Sequence, residues 1–473
     1  MKYSVVTFGC RVNQADSLGV EEALRTCGAV SAAPEHADLV VVNTCSVTAT
    51  ADQGARQTIR RIARDNPGVR IVVTGCYATR RPDEVRDLPN VVRVIANDDK
   101  PRLIPLIAAD DAIFDRRVPL PHSRDVSTAE RFGEGAGGCG ATIEPGVAGR
   151  TAFTLCVQTG CAEQCSYCII PTTRGQPRSV PVEAVLAEVD RVAAAGFKEI
   201  AVTGVHLGSY GRDLAAASST PAASLLDLLR ALARRGRLEY DSRSVRLPPS
   251  REASADRRSL GEGGQPDVRF RISSLEPMDC VPGVVDLIAE GRPFAPHFHL
   301  PLQHASDRML AAMRRPYTIA YYQALVDDIR ARIPHASIGS DVVVGFPGET
   351  DDDFEQLASY LERSPLTHVH VFPYSDRPGT AATAMSGKVP GAAVRERGRR
   401  IRDIAHRLSE RFRQSQVGSV RPGLTIEDGS TVVTDNYLKL RIPAGHARNE
   451  RVRVRIASHH DGELVVDKPN LAM

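Results

Sequence analysis

Residues 161–168, Cys161-Ala-Glu-Gln-Cys165-Ser-Tyr-Cys168, hold the densest group of cysteines in the chain. Three thiolates so close together can converge on one centre from a short loop, and thiolates are soft ligands that suit zinc or iron–sulfur clusters. Cys165 and Cys168 alone form a C-x-x-C pair, which also fits zinc or a redox dithiol. A structural zinc site usually has four protein ligands. Cys156 competes for the fourth place, so spacing alone leaves zinc and a cluster with one open iron as alternatives.

Strand and helix patterns alternate after this motif, which is typical of an α/β barrel or partial barrel. We expect this central domain to span residues 147–385. Its segment 236–267 has no periodicity and predicts a disordered insertion. The predicted elements are helix 182–195, strand 199–203, helix 224–234, strand 269–273, helix 284–291, strand 297–300, helix 317–332, strand 338–345, helix 350–363 and strand 368–372.

Residues 1–112 also alternate apolar strands with helices, which indicates an α/β domain with a parallel sheet covered on both faces. From there to residue 146 the pattern decays into Pro, Gly and charge, so we interpret 113–146 as a linker. The predicted elements of this domain are strands 3–8, 39–42, 71–73 and 91–95 and helices 16–26 and 51–65.

A second set of cysteines is spread over the N-terminal domain. Cys10, Cys45 and Cys76 each follow directly after a predicted strand. The carboxyl ends of parallel strands meet at one edge of a sheet, so these three thiols can lie together although about 30 residues separate them. Small buried cysteines are common in protein cores, but three in the same phase favour a site. The other cysteines are interpreted as buried or incidental thiols: Cys27, Cys139, Cys156 and Cys280.

The C-terminal part is basic and then rich in short strands. A helix predicted within 386–416 has eight Arg against three acids between residues 392 and 414. Residues 417–473 carry strand and turn signals at short intervals, as in a small antiparallel β-barrel. One strand places Arg451, Arg453 and Arg455 on a single face. These arginines and the helix predict phosphate contacts, and a solvated sheet face is the alternative. For Tyr437 we weigh base stacking against a core or hairpin role.

Composition sets the broad class of the protein. The 473 residues carry 60 basic and 57 acidic side chains, a formal charge of +3, and 42% are hydrophobic. These values are those of a globular protein rather than a disordered or fibrous one. The N-terminus lacks the pattern of a secretory signal, and no apolar run approaches the roughly 20 residues of a membrane helix. We therefore expect a cytoplasmic protein with no membrane partner, in which spaced cysteines are more often ligands than disulfides.

The 161–168 motif resembles the radical S-adenosylmethionine enzymes. Tyr167 matches the aromatic residue which that superfamily has before its third cysteine, and residues 169–175, Ile-Ile-Pro-Thr-Thr-Arg-Gly, are similar to the methylthiotransferases. The resemblance implies a [4Fe-4S] cluster on the three cysteines, with S-adenosylmethionine on its fourth iron. It implies a second [4Fe-4S] cluster on the N-terminal cysteines. It also implies that the terminal β module is a TRAM-like RNA-binding domain.

Three segments point to one branch of the methylthiotransferases, which acts on tRNA bearing threonylcarbamoyladenosine. Residues 9–14, Gly-Cys-Arg-Val-Asn-Gln, resemble the Gly-Cys-Lys-Val-Asn-Gln of that branch. The isopentenyladenosine branch usually has Gln-Met-Asn there, and the ribosomal-protein branch Pro-Lys-Asn. Residues 271–277 and 370–375 point the same way. Two positions depart from the family: Thr159 replaces an acidic residue, and residues 303–305 read Gln-His-Ala instead of Gln-Ser-Gly.

The resemblance implies a transferase that places a methylthio group on C2 of N6-threonylcarbamoyladenosine at position 37 of tRNA. An electron donor of flavodoxin or ferredoxin type would serve it; the sulfur donor is not implied. The alternatives are action on isopentenyladenosine tRNA or on a ribosomal-protein aspartate, and an RNA-binding iron–sulfur or zinc protein without turnover. The residues expected to contact cofactor or substrate are Tyr167, Thr203, Gly204, Glu276, Gln303 and Asp341. A solvated polar group at a strand end is the alternative role for Glu276, Gln303 and Asp341.

Overall fold

The computed structural model describes residues 1–108, 143–146, 150–215, 223–236, 268–291, 293–460 and 463–466. The predicted insertion lies outside these ranges except for residue 236. The predicted linker lies outside them except for residues 143–146. Cys139 is likewise outside.

The N-terminal domain is a five-stranded parallel sheet with helices on both faces, which confirms the predicted fold class. Its strands lie in the order β2-β1-β3-β4-β5. The central strand β3, Leu-Val-Val-Val-Asn-Thr, is buried along its whole length, as expected of a parallel strand covered on both sides. The elements are β1 Lys2–Thr7, α1 Arg11–Thr26, β2 Val30–Ser31, β3 Leu39–Thr44, α2 Ala49–Asp65, β4 Arg70–Gly75, α3 Cys76–Arg80, α4 Pro82–Arg86, β5 Val91–Ile95 and α5 Leu103–Ala108.

Helix α1 begins five residues earlier than the sequence predicts, at Arg11 instead of Asp16. Cys10 occupies the N-cap position, and its side chain makes no capping hydrogen bond. The usual sequence signal for a helix start is therefore missing. Consequently Cys10 lies at the junction between the first strand and the first helix.

The central domain is a partial barrel. The strand orders are β7-β6-β8-β9 and β10-β11-β12, and a bridge between Phe270 and Phe294 joins the two sheets. In the described part of the chain β6 and β12 do not pair with each other, so the arc of parallel strands stays open. The elements are β6 Phe153–Thr159, α6 Ile170–Arg174, β7 Arg178–Ser179, α7 Val182–Ala194, β8 Glu199–Gly204, α8 Arg212–Ala215, α9 Leu225–Gly236, β9 Arg269–Ile272, α10 Pro282–Ala289, β10 His297–His299, α11 Asp307–Ala312, α12 Ile319–Arg332, β11 Ser337–Val344, α13 Asp351–Arg363 and β12 His368–Pro373.

The N-terminal domain contacts both ends of this arc. Helix α1 packs against β6 and β8, and α3 packs against α6. At the other end, Arg377, which follows β12, donates from Nη1 to Asp52 Oδ2 in α2 at 3.0 Å. The carboxyl edge of the first sheet therefore faces the open side of the barrel.

The C-terminal part is one long helix and a nearly closed antiparallel barrel of strand order β15-β14-β13-β16-β17, in which β15 and β17 contact each other. Several arginines of the helix pair with acids of α13, among them Arg407 with Glu362 at 3.1 Å, which accounts for part of its positive charge without a phosphate. No helix within the described ranges is long and apolar enough to cross a membrane. The elements are α14 Gly391–Ser415, β13 Val420–Ile426, β14 Thr431–Thr434, β15 Lys439–Arg441, β16 Arg451–His460 and β17 Glu463–Val466.

Candidate functional site

The three N-terminal cysteines lie at the carboxyl edge of the first sheet. Cys10 follows β1, Cys45 follows β3 directly and Cys76 follows β4 directly. Burial, with smaller contributions from the nearby Cys10 and Cys76 thiols, raises the pKa of Cys45 to about 11. The backbone N–H of Val47 lies 3.5 Å from Cys45 Sγ and favours its thiolate. The structure thus brings together three thiols that a soft metal centre would deprotonate on binding.

Glycines with positive φ precede three of the six predicted ligand cysteines. Gly9 has φ +90°, and a Cβ there would lie 2.5 Å from Cys45 Sγ. Gly75 has φ +97°, and its Cβ would lie 2.2 Å from Thr44 O. Gly160 has φ +76°, before the first cysteine of the second group. A side chain does not fit at any of these positions. Glycine therefore lets the backbone lie against Cys45 at Gly9 and against neighbouring backbone at Gly75 and Gly160.

Asp52 in α2 forms a buried ion group beside Cys45. It receives Arg80 Nη2 at 2.6 Å and Arg377 Nη1 at 3.0 Å. Arg377 also donates from Nε to Val47 O at 3.3 Å. Its Nη2 is buried and has no hydrogen-bond partner among the described residues. Burial lowers the pKa of Arg377. The charges of Asp52 and, to a smaller extent, of the nearby Cys45 thiol oppose that shift.

Asp16 in α1 forms a similar group on the other side of the cysteines. Lys100 Nζ lies 2.8 Å from its Oδ2, and Arg174 Nη2 lies 3.3 Å from the same oxygen. Lys100 Nζ also donates to Asn43 Oδ1 at 3.2 Å. Burial lowers the pKa of Lys100, and the negative charges of Asp16 and Cys76 oppose that shift.

The second cysteine group occupies the loop between β6 and α6. Backbone N–H groups already point at two of its sulfurs: Glu163 N lies 3.4 Å from Cys161 Sγ, and Ile170 N lies 3.5 Å from Cys168 Sγ. Burial, followed by the charges of Cys165 and Cys161, raises the pKa of Cys168 to about 12, although the N–H of Ile170 opposes this. The three thiols therefore form one electrostatically coupled group.

Arg315, which the sequence analysis missed, joins this group to a predicted cofactor residue. Its Nη1 donates to Cys165 Sγ at 3.2 Å, and its Nη2 contacts the Glu276 carboxylate. Its Nε donates to Tyr317 Oη at 3.3 Å. Only the fold brings Arg315 to the cysteines, because 150 residues separate it from Cys165.

Three other predicted cofactor residues surround the ends of the barrel strands. Tyr167 packs edge-on against Phe346, with ring centroids 6.4 Å apart. Thr203 is buried in β8. Gly204 ends that strand, and a Cβ there would lie 2.8 Å from Leu207 Cδ2. Gly204 therefore keeps the end of β8 close to the following turn.

Asp341, in β11, lies between two histidines of the neighbouring strands β10 and β12. Its Oδ1 lies 3.0 Å from His370 Nδ1 and 3.2 Å from His299 Nε2. Burial opposes ionisation, but the nearby His299 and His370 rings prevail and hold the pKa of Asp341 below its usual range. Gln303, with φ +66°, donates its backbone N–H to Asp341 O at 2.9 Å. One ligand atom from each of the three side chains lies within 4.8 Å of the others, so their spacing also suits a metal ion.

The predicted RNA-binding arginines share one face of β16, opposite the buried Val452 and Val454. Arg453 and Arg455 are exposed. Arg451 is half-buried, and its Nη2 donates to Lys198 O at 3.3 Å. Two of the three arginines thus present an open cationic surface, and the third also contacts the central domain.

Tyr437 connects the C-terminal barrel to the other two domains. It follows β14 with φ +69°, and its Oη accepts from Arg11 Nη2 at 3.0 Å. The guanidinium carbon of Arg271 lies 4.8 Å from its ring centroid, and the His297 ring lies 4.6 Å away. The ring therefore serves an interdomain contact. The residue is still 44% exposed, so base stacking and a hairpin role both stay predictions.

Comparison with known proteins matches both cysteine-bearing domains to family models. Residues 2–97 match "Uncharacterized protein family UPF0004", and residues 155–361 match the radical SAM superfamily. The chain is 32% identical to the threonylcarbamoyladenosine tRNA methylthiotransferase MtaB of Aquifex aeolicus, over 96% of this chain and 100% of that protein. The chain belongs to the radical S-adenosylmethionine tRNA methylthiotransferases. It is therefore an enzyme that transfers sulfur-containing groups, uses S-adenosylmethionine and an iron–sulfur cluster, and has tRNA as its substrate.

Other methylthiotransferases are almost as similar. The Bacillus subtilis MtaB is 31% identical over 92% of this chain and 88% of that protein. A tRNA-2-methylthio-N(6)-dimethylallyladenosine synthase of Mycobacterium sp. (strain JLS) is 31% identical over 99% and 82%. Among solved structures, TsrM from Kitasatospora setae, a radical S-adenosylmethionine methyltransferase, shares the fold. Its TM-score is 0.52 at 16% identity, covering 81% of this chain and 74% of that one.

Both cysteine groups of this methylthiotransferase fit iron–sulfur clusters in the chemistry of their donors. Each offers three soft thiols, with one backbone N–H directed at sulfur in the first group and two in the second. Arg315 donates to a thiol of the second group. At the first group, Arg377 Nη2, which has no hydrogen-bond partner among the described residues, would gain one from an anionic centre.

Proposed function

We propose that the protein methylthiolates C2 of N6-threonylcarbamoyladenosine at position 37 of tRNA, in the cytoplasm, with two [4Fe-4S] clusters. The observation that carries the two-cluster proposal is Arg174, which ends α6 just after the second cysteine group. It contacts Asn13 and Asp16 in α1. Burial lowers the pKa of Arg174, but the charge of Asp16, followed by those of Cys76 and Cys10, raises it above its usual range. The two cysteine groups therefore border a single site. The proposed ligands are Cys10, Cys45, Cys76, Cys161, Cys165 and Cys168.

Cofactors supply the difficult chemistry in this proposal. The cluster at residues 161–168 would supply the electron that cleaves S-adenosylmethionine to a 5′-deoxyadenosyl radical. The chain's own groups hold and orient: Arg315 balances thiolate charge at Cys165 and fixes the Glu276 carboxylate. Gly204 leaves room at the end of β8 for the cofactor.

The choice of substrate rests on two further observations. Residues 9–14 resemble the motif of the threonylcarbamoyladenosine branch. The relatives from Aquifex aeolicus and Bacillus subtilis are both named threonylcarbamoyladenosine tRNA methylthiotransferases. In the barrel, Phe298 and Val342 pack into the outer core, so alternation along the strands places His299 and Asp341 on the inner face. Polar groups there suit a polar N6 substituent better than an isopentenyl group.

An activity assay with purified protein, reconstituted anaerobically with iron and sulfide, tests this proposal. The assay contains S-adenosylmethionine, dithionite and tRNA bearing either threonylcarbamoyladenosine or dimethylallyladenosine. We expect 5′-deoxyadenosine, and a 2-methylthio product only from the first tRNA. Product only from the second would reassign the enzyme to the dimethylallyladenosine reaction, which the Mycobacterium relative favours. No 5′-deoxyadenosine with either tRNA would support an RNA-binding iron–sulfur protein without turnover.

A further inference from the structure

Two groups of buried ions flank the N-terminal cysteines. We call them the Asp52 triplet and the Asp16 triplet, after the carboxylate at the centre of each. The members are Asp52, Arg80 and Arg377 for the first and Asp16, Lys100 and Arg174 for the second.

Each triplet has two cations on one carboxylate, a formal charge of +1. The cationic side chains are removed from solvent: Arg377 is 4% exposed and Lys100 is 5% exposed. Burying a charge is costly unless an opposite charge compensates it. About two negative charges near the triplets would therefore compensate their combined formal charge.

The N-terminal cysteines lie beside both triplets. Arg377 Nε donates to Val47 O at 3.3 Å, and the N–H of Val47 lies 3.5 Å from Cys45 Sγ. Next to Arg174, the carbonyl of Thr173 accepts from Asn97 Nδ2, which lies 3.6 Å from Cys76 Sγ. The Nη2 of Arg377 is buried without a hydrogen-bond partner among the described residues, and so is the Nε of Arg174. Such orphaned donors on cationic side chains indicate an anionic acceptor in this space.

We propose that the two triplets form an electrostatic frame that stabilises a net charge of −2 at the cluster on the N-terminal cysteines. The inference rests on the proposed two-cluster function. Three thiolates on a [4Fe-4S]²⁺ core give a formal charge of −1. The second negative charge arrives when an external one-electron donor reduces the core. The frame therefore raises the reduction potential of the cluster.

Redox titration monitored by electron paramagnetic resonance tests this inference. The full chain would carry Cys161→Ala, Cys165→Ala and Cys168→Ala, so that only the N-terminal cluster contributes, with dithionite as reductant. Arg377→Gln should lower the midpoint potential by about 59 mV, which corresponds to a tenfold smaller equilibrium constant for one-electron reduction. Asp52→Asn should raise it, and Lys100→Gln, from the other triplet, should lower it.

Opposite signs separate an electrostatic role from a structural one, because a merely loosened site would shift all variants the same way. Arg397→Gln is the matched control, since Arg397 forms its buried ion pair with Glu349 at 2.6 Å and should leave the potential unchanged. Equal shifts, or none, in a loaded cluster would overturn this inference alone. Failure of the N-terminal cysteines to load any iron would overturn the two-cluster proposal and the inference together.

Discussion

Arg11 donates from Nη2 to Tyr437 Oη at 3.0 Å, across 426 positions of sequence. Arg11 directly follows Cys10, so the C-terminal barrel holds the residue beside a proposed cluster ligand. The same tyrosine packs on Arg271 and His297 of the central domain. The C-terminal barrel is thus part of the structure around the site as well as a candidate RNA-binding module.

The bond between Arg11 and Tyr437 predicts measurable coupling between the two domains. Tyr437→Phe removes only the hydroxyl, and a hydrogen bond of this type contributes about 1 kcal/mol. A double-mutant cycle with Arg11→Met, measured by denaturant unfolding, should give a coupling free energy of about that size. Strict additivity of the two single changes would show that the contact contributes nothing.

Iron content should report the two cysteine groups independently. Reconstituted protein should bind about eight iron atoms, and Cys45→Ala or Cys165→Ala should each lose about four, since each proposed cluster has three cysteine ligands and no spare. Cys280→Ala is the control, because Cys280 is buried in the barrel core and should retain both clusters. Loss of all iron in either ligand variant would indicate one shared centre.

The parallel sheet and the position of the cysteines at its carboxyl edge follow from the sequence, because alternating βα units put the ends of their strands at one edge. The start of α1 does not follow, since Cys10 caps it without a side-chain hydrogen bond. The ion groups around the cysteines could not be predicted from the sequence either, because Asp52 and Arg377 lie 325 residues apart in the chain. The arginines of α14 predicted phosphate contacts, yet Arg407 pairs with an acid 45 positions earlier.

The contact between Asp341 and His370 predicts a specific pH dependence. The hydrogen bond to Asp341 raises the pKa of His370. The pKa of His370 is therefore higher in the folded protein than in the unfolded chain, where it is about 6.5. Its contact with Asp341 contributes full stability below that pH, and the contribution is lost as the pH rises through the pKa of the folded protein. Asp341→Asn should therefore lower the His370 pKa in an NMR titration. Asp376→Asn, which removes a carboxylate paired with Lys388, should leave it unchanged; an unshifted His370 in Asp341→Asn would refute the assignment.

The exposed arginines of β16 predict a salt dependence for tRNA binding. Each phosphate contact contributes about 1 to the slope of log affinity against log salt concentration. Arg453→Gln with Arg455→Gln should therefore reduce that slope by about 2, measured by filter binding. Arg399→Gln serves as the control, because Arg399 pairs with Glu396 on its own helix. An unchanged slope in the double variant would make this face a solvated surface.

Nucleoside mass spectrometry of tRNA from a strain without this gene would identify the substrate. Complementation with the intact gene or with Cys165→Ala provides the comparison. We expect that 2-methylthio-N6-threonylcarbamoyladenosine disappears, that N6-threonylcarbamoyladenosine accumulates, and that only the intact gene restores the modification. Unchanged tRNA nucleosides, with a methylthio group missing instead from a ribosomal protein, would contradict this expectation.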